Sequence, residues 1–161
     1  RNAVKKDFRD IYSSPMSQGT RCHQLATYIV FDSPLVMLCD APTAYRKEPE
    51  CTRFIAGLPV VADETRILQG KMGEYIVTAR RVGEDWIVGG LTDWEARTVD
   101  LDLSFLPEGM FRAEIFCDGI NADKKGEDYR HEYRDVKRED RLKMQLAPGG
   151  GFAIRLKKNH N

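Results

Sequence analysis

Carboxylates, tryptophans and a few lone polar groups are the residues of this chain whose types could do chemistry. Glu48 and Glu50 flank Pro49, a spacing that invites comparison with an acid/base couple, although carboxylates at a helix start are sufficiently explained by the helix dipole. Asp40 closes the apolar run Leu35–Cys39, where the end of a strand could present it to a ligand. An aspartate ahead of Ala41-Pro42 also serves simply to turn the chain. His23 stands beside Arg21 and Gln24, near the start of a helical pattern where a lone histidine is usually a packed or capping residue. Asp118-Gly119 with Asn121, Asp123 and Asp128 makes a loose cluster of oxygen ligands. It lacks the glycine and terminal-glutamate offsets of an EF-hand loop, so no metal ligand is assigned to it. Trp86 and Trp94 could each offer an indole face to a pyranose ring. Trp86 alternates with Val88 and suits a core; Trp94, following Thr92-Asp93, is the surface candidate for sugar contact. No residue is assigned a catalytic role.

Composition narrows the classes. Acidic and basic residues balance at 25 each, so there is no net field to hold a polyanion and nucleic-acid binding is disfavoured. The densest charged stretch, Lys124 to Arg141, mixes both signs and suits a solvated loop and an edge strand. The cysteines are Cys22, Cys39, Cys51 and Cys117, with no CxxC pair and no histidine at a zinc-finger offset, which argues against zinc. Three of them fall in apolar-periodic segments suited to buried thiols, and spacing alone leaves their disulfide state open. The chain begins with Arg1 and carries neither a signal peptide nor an apolar run of membrane-spanning length.

The elements that must position these residues come in two textures. Residues 1–18 are polar and irregular, and are expected to be mobile. From Thr20 to Phe31, Leu25, Ala26, Ile29 and Val30 recur at helical spacing. Leu35–Cys39 is a continuous apolar run that suits a strand buried on both faces of a parallel sheet. A second helix is punctuated by Pro49 at its first turn and Gly57 at its end, with Pro59 beyond. Helix, buried strand, helix is the rhythm of an α/β barrel, on whose rim Asp40 would then stand, but a closed barrel needs about 250 residues. After Pro59 the period changes to two. Thr65–Leu68, Glu74–Val82, Trp86–Thr92, the alternating Val99, Leu101 and Leu103, Phe111–Ile115, Leu142–Leu146 and Phe152–Leu156 predict seven or eight short strands of an antiparallel β-sandwich.

The order of several short stretches resembles a known family. They are Gly19-Thr20-Arg21-Cys22-His23-Gln24-Leu25-Ala26, Phe31-Asp32-Ser33-Pro34-Leu35 and Met37-Leu38-Cys39-Asp40-Ala41-Pro42. Downstream come Asp63-Glu64-Thr65, Gly73-Glu74-Tyr75-Ile76-Val77-Thr78-Ala79-Arg80-Arg81 and Trp86-Ile87-Val88-Gly89-Gly90-Leu91-Thr92-Asp93-Trp94. Together they resemble the C-terminal third of glycoside hydrolase family 97. The resemblance implies a mainly β chain in which residues 1–58 end a catalytic (β/α)8 barrel and residues 59–161 form the C-terminal β-sandwich. It also implies a parent enzyme that cleaves α-glucosides or α-galactosides, by inversion with a glutamate pair or by retention with an aspartate nucleophile.

By that resemblance the catalytic carboxylates and calcium-binding glutamates align upstream of Arg1. This stretch by itself is therefore expected to be an accessory or oligomerisation domain without activity and without a cofactor, calcium belonging to the intact enzyme. Its partners would be the rest of the barrel, a second copy, and the parent's oligosaccharide substrate; its location would be periplasmic, secreted or at the cell envelope. A carbohydrate-binding sandwich module is the alternative, and it needs exposed, coplanar aromatics on one face.

Overall fold

Eight strands follow Pro59, and in the computed structural model they form two antiparallel sheets; the structure describes residues 2–33, 35–38 and 40–159. The strands are β3 (Glu64–Lys71), β4 (Tyr75–Val82), β5 (Asp85–Thr92), β6 (Arg97–Asp102), β7 (Phe111–Asp118), β8 (Tyr129–Val136), β9 (Arg141–Leu146) and β10 (Gly151–Lys158). Six of them make one sheet in the order β3-β4-β5-β10-β7-β8, and β6-β9 make the second. Ahead of them stand β1 (Asn2–Ala3), β2 (Ser17–Gln18) and the helices α1 (Arg21–Val30), α2 (Pro42–Arg46) and α3 (Pro49–Ala56).

Alternation makes the small sheet one-sided. Val99 and Leu101 of β6 and Leu142, Met144 and Leu146 of β9 turn inward and are buried. Asp100 and Asp102 turn outward, where Arg141 pairs with both at 3.3 and 2.7 Å. The inner face meets Val77, Ala79, Trp86, Val88, Phe111, Ala113, Ile115, Phe152, Ile154 and Leu156 of the large sheet to form the main core. Trp86, 2% exposed, packs edge-on against Phe105 with ring centroids 5.1 Å apart. It is a core residue and no sugar platform.

The middle strands of the large sheet are covered on their other face as well. Ile87, Phe116 and Ala153 pack there against Cys22, Leu25 and Ile29 of α1 and Cys51 and Phe54 of α3. The middle strands are consequently buried on both faces, and β5 reads Ile87-Val88-Gly89-Gly90 instead of alternating. The two glycines serve opposite faces. A Cβ on Gly89 would stand 2.8 Å from Cβ of Ile29 and 3.1 Å from the Ala26 carbonyl oxygen, so α1 rests directly on the strand there. A Cβ on Gly90 would stand 2.2 Å from the Phe152 ring, the residue paired with it in β10.

Two expectations need correcting. Leu35–Leu38 form no strand, and their side chains are 75, 47, 73 and 49% exposed in chain order; Cys39 lies outside the described residues. A parallel strand needs neighbours on either side to bond and cover it, and among the described residues none stands beside this run. The N-terminus is also less free than its polar composition suggests. Asn2, Ala3 and Val4 are buried, and β1 pairs in parallel with β2. Gly19 N–H donates to the Ala3 carbonyl (2.9 Å), Thr20 N–H to Gly149 (2.9 Å) and Arg21 N–H to Gly126 (2.7 Å). Backbone pairing thus anchors a segment that lacks an apolar period.

Replacing Trp86 by Ala leaves a large void in the main core, and such truncations cost about 3–5 kcal/mol; the variant should melt ~10 °C or more below the parent. Gly89→Val forces α1 off the sheet by overpacking, at a cost of about 1–3 kcal/mol. Thermal melts followed by circular dichroism check both, and an unchanged Gly89→Val melt would mean that α1 does not rest on β5.

Candidate functional site

The helices are punctuated as the sequence dictates. Thr20 is extended and its hydroxyl accepts from His23 N–H (3.1 Å), which caps α1. Pro42 and Pro49 open α2 and α3, where a missing N–H costs nothing. Gly57 caps the C-terminus of α3, and a Cβ there would meet the Arg155 guanidinium at 2.8 Å. Arg155 uses that closeness: its Nη2 donates to the Phe54 carbonyl (2.7 Å), and the guanidinium lies over the Phe54 ring.

Between these helices and the N-terminal loop lies a cavity of about 520 Å³, lined in part by Arg21, Gln24, Tyr28, Asp40, Tyr45 and Glu48. Arg21 and Glu48 are ion-paired across it. Asp40 reaches its edge and is exposed. One of its carboxyl oxygens accepts from Ala41 N–H (2.7 Å), and its own N–H donates to the Tyr45 hydroxyl (3.2 Å). The turn-forming role is therefore observed.

Trp94 stands elsewhere and does not line that cavity. Its indole is half-buried, with Lys5 Nζ 5.8 Å from the ring centroid on one side. On another it touches Gly149, where a Cβ would come within 2.5 Å of the ring; Gly149 also has φ of +65°. The structure does not bring Trp94 and Asp40 together. His23 Nδ1 lies 3.1 Å from the Gly150 carbonyl oxygen, and burial pushes its pKa down. It is a packed residue at a cap.

Glu50 is engaged by the sheet edge. Its carboxylate accepts from the Tyr129 hydroxyl (3.2 Å) and lies 3.5 Å from His131 Nδ1. His131 Nε2 in turn meets Glu114 at 3.2 Å, and the imidazole stacks on Phe116 at 4.0 Å. Glu48 and Glu50 thus hold two different partners and do not face one another as an acid/base couple.

The oxygen cluster near residue 118 also resolves into backbone contacts. Asp118 is 5% exposed, and its Oδ2 accepts from Ala147 N–H and Gly151 N–H, both 2.9 Å. Its Oδ1 is shut off from solvent and lacks a well-formed hydrogen bond, with the Thr20 hydroxyl close enough to favour the charged form. Asp128 accepts from Asn121 N–H (2.8 Å). Among the described residues no three His, Cys, Asp or Glu side chains converge to hold a metal ion. Asp118 is the residue whose role the sequence hid: it ties the end of β7 to the turn before β10 and to the start of α1. Its only sequence signal was an aspartate at a strand end facing a Pro-Gly-Gly turn.

Comparison with known proteins places this arrangement. The family model described as glycosyl-hydrolase 97 C-terminal, oligomerisation, matches residues 61–157. A retaining α-galactosidase of Bacteroides thetaiotaomicron is 56% identical over 157 residues, which are 98% of this chain and 24% of the relative. A probable retaining α-galactosidase of Streptomyces bingchenggensis is 30% identical over 130 residues, 81% of this chain and 19% of the relative. A solved glycoside hydrolase family 97 enzyme from Pseudoalteromonas sp. strain K8, in complex with acarbose, superposes with a TM-score of 0.85 at 38% identity, over 88% of this chain and 23% of that one. The chain spans about a quarter of the length of these relatives.

Burial lifts the Asp118 carboxyl to about 6 from an ordinary 3.8. The folded state therefore binds this proton more tightly than the unfolded one. The stability it contributes is fully present below about pH 4 and is lost as pH rises through about 6. Relative to Asp118→Asn, the parent should lose ~2 kcal/mol of unfolding free energy between pH ~4.5 and ~7. Urea titrations of both proteins measure that difference, and parallel pH profiles would mean that the carboxyl is solvated.

Proposed function

Because this chain belongs to glycoside hydrolase family 97, in its C-terminal region, we propose that it serves as the accessory end of an α-galactosidase-type enzyme. In this reading residues 1–58 complete a catalytic barrel, and residues 59–161 form a sandwich that braces the barrel and joins copies of the enzyme. The observation that carries it is the exposed apolar stretch Leu35–Leu38, continued by Phe31 at 62% exposure. A soluble chain rarely leaves such a run uncovered without a partner surface. The stretch sits between helices in a segment that aligns with the α-galactosidase relative, and neighbouring barrel strands would cover it. Asp40 then ends a barrel strand, on the rim where such enzymes bind substrate.

The family resemblance implies calcium near the catalytic carboxylates of the whole enzyme. The carboxylates of this chain do not fit that role, since none of the described ones converge in threes. The resemblance also supports a periplasmic or cell-envelope location, which fractionation of the native host with antibody to this chain would test. The binding-module alternative finds little support: Trp86 is buried, and Trp94 packs on Gly149, so the tryptophans offer no coplanar platform.

Purified chain should release no nitrophenol above blank from an aryl α-galactoside or α-glucoside; calcium-dependent release would end the accessory reading. It should bind a hydrophobic fluorescent dye strongly, and Leu35→Asp with Met37→Asp should remove most of that signal while shifting the melting point by less than ~2 °C. A large loss of stability in that double variant would mean that the stretch packs within the chain and awaits no barrel.

A further inference from the structure

The large sheet ends in two edge strands, and they are not equivalent. β3 is interrupted by a bulge between Ile67 and Gln69, a common device for blunting an edge. β8 runs for eight residues, Tyr129–Val136, paired with β7 in one unbroken register. Its residues Glu132, Tyr133, Arg134 and Asp135 are exposed, Tyr133 at 55%. The side chains of Glu132 and Arg134 form no ion pair or hydrogen bond among the described residues, whereas those of the neighbouring Tyr133 and Asp135 are tied to Glu114 and Arg112.

The backbone of β8 tells which groups are free. Gly119 N–H donates to the Asp128 carbonyl (3.1 Å), continuing the register in which Asp118 faces Tyr129. In an antiparallel ladder the residues of one strand turn their N–H and C=O alternately to one neighbour and to the other. Asp128, Arg130, Glu132 and Arg134 therefore bond towards β7. Tyr129, His131, Tyr133 and Asp135 present theirs to the open edge.

We propose that β8 is a self-recognition edge, and that two copies of this chain pair their β8 strands antiparallel about a two-fold axis through Tyr133. This inference rests on the oligomerisation reading above and names its surface. With Tyr133 opposite its own copy, the two residues exchange both backbone hydrogen bonds across the axis. Glu132 then faces Arg134 of the second copy, and Arg134 faces its Glu132. These are non-hydrogen-bonded positions, where opposed side chains approach most closely. His131 faces Asp135 on either side. Other antiparallel registers are worse: a shift of one residue sets Glu132 against Asp135 or His131 against Arg134, and a shift of two sets Arg134 against itself or Glu132 against itself. An axis through His131 would also set Glu132 against Arg130, but it pairs only Tyr129–Tyr133, whereas the Tyr133-centred register pairs Arg130–Val136 with no like charges opposed. Because the contact is isologous it closes at a dimer and joins the two six-stranded sheets into one.

Reversing the charges tests the pairing without touching the core, since both side chains are exposed. Sedimentation velocity on the purified chain, over a concentration series, should show a reversible dimer. Glu132→Arg alone and Arg134→Glu alone should each weaken association at least tenfold, because each sets like charges face to face twice. An equimolar mixture of the two variants should recover association, as should the double variant carrying both changes. Circular dichroism should confirm that all are folded. If the parent dimerises and both single variants dimerise equally well, the β8 edge is wrong while the oligomerisation reading survives. If the parent stays monomeric throughout, both fall. Variants that stay apart when mixed overturn the register, and growth beyond a dimer overturns the closed two-fold arrangement.

Discussion

Everything in this molecule depends on one sheet being covered twice. A six-stranded sheet with apolar residues on both faces stays in water only if both faces are shielded, and two unlike layers do it here. The β6-β9 pair shields one face and the helices shield the other. Adjacent glycines of β5 allow two close approaches, one on each face. Gly89 admits the backbone of α1 and Gly90 admits the Phe152 ring. One-sided strands tolerate most residues on their solvent face; this strand has no solvent face over those positions.

The apolar contact between helices and sheet is reinforced by charged groups at its margins. Arg155 reaches from β10 to the last turn of α3, His131 and Tyr129 reach from β8 to its first turn, and Asp118 anchors the start of α1 from behind. These polar groups sit at the seam, each with a partner on the far side, so parting the layers would strand half-buried charges as well as expose apolar surface. Such seams fix orientation more than they add stability.

How much of this was legible in the sequence follows from the same geometry. Strands covered on one side announce themselves, as Val99, Leu101 and Leu103 against Asp100 and Asp102 do, and the α1 and α3 boundaries were marked by Thr20, Pro49 and Gly57. The edge character of the charged stretch containing β8 was also visible in its composition. Leu35–Leu38 misled because an apolar run reports what a segment needs and not whether its partner is present. The N-terminal strap was hidden because backbone hydrogen bonds, indifferent to side-chain type, hold Ala3 and Gly19 together. Trp86 was placed correctly by its alternation with Val88. The role of Asp118 was hidden because the N–H groups its carboxylate accepts from, at Ala147 and Gly151, lie about thirty residues away.

The position of β10 bears on how such a chain is made. This strand is central in the sheet, between β5 and β7, and it follows every other strand in the chain. On the ribosome, β3 to β5 and β7 to β8 would emerge as two separate hairpin groups with a gap between them. Helix α1, synthesised before either, rests jointly on β5 and β10 and must wait for both. The nascent chain must therefore keep two open strand edges and a set of bare helix faces from sticking to its neighbours until Gly151–Lys158 has cleared the exit tunnel. Closure then comes as one late, non-local step.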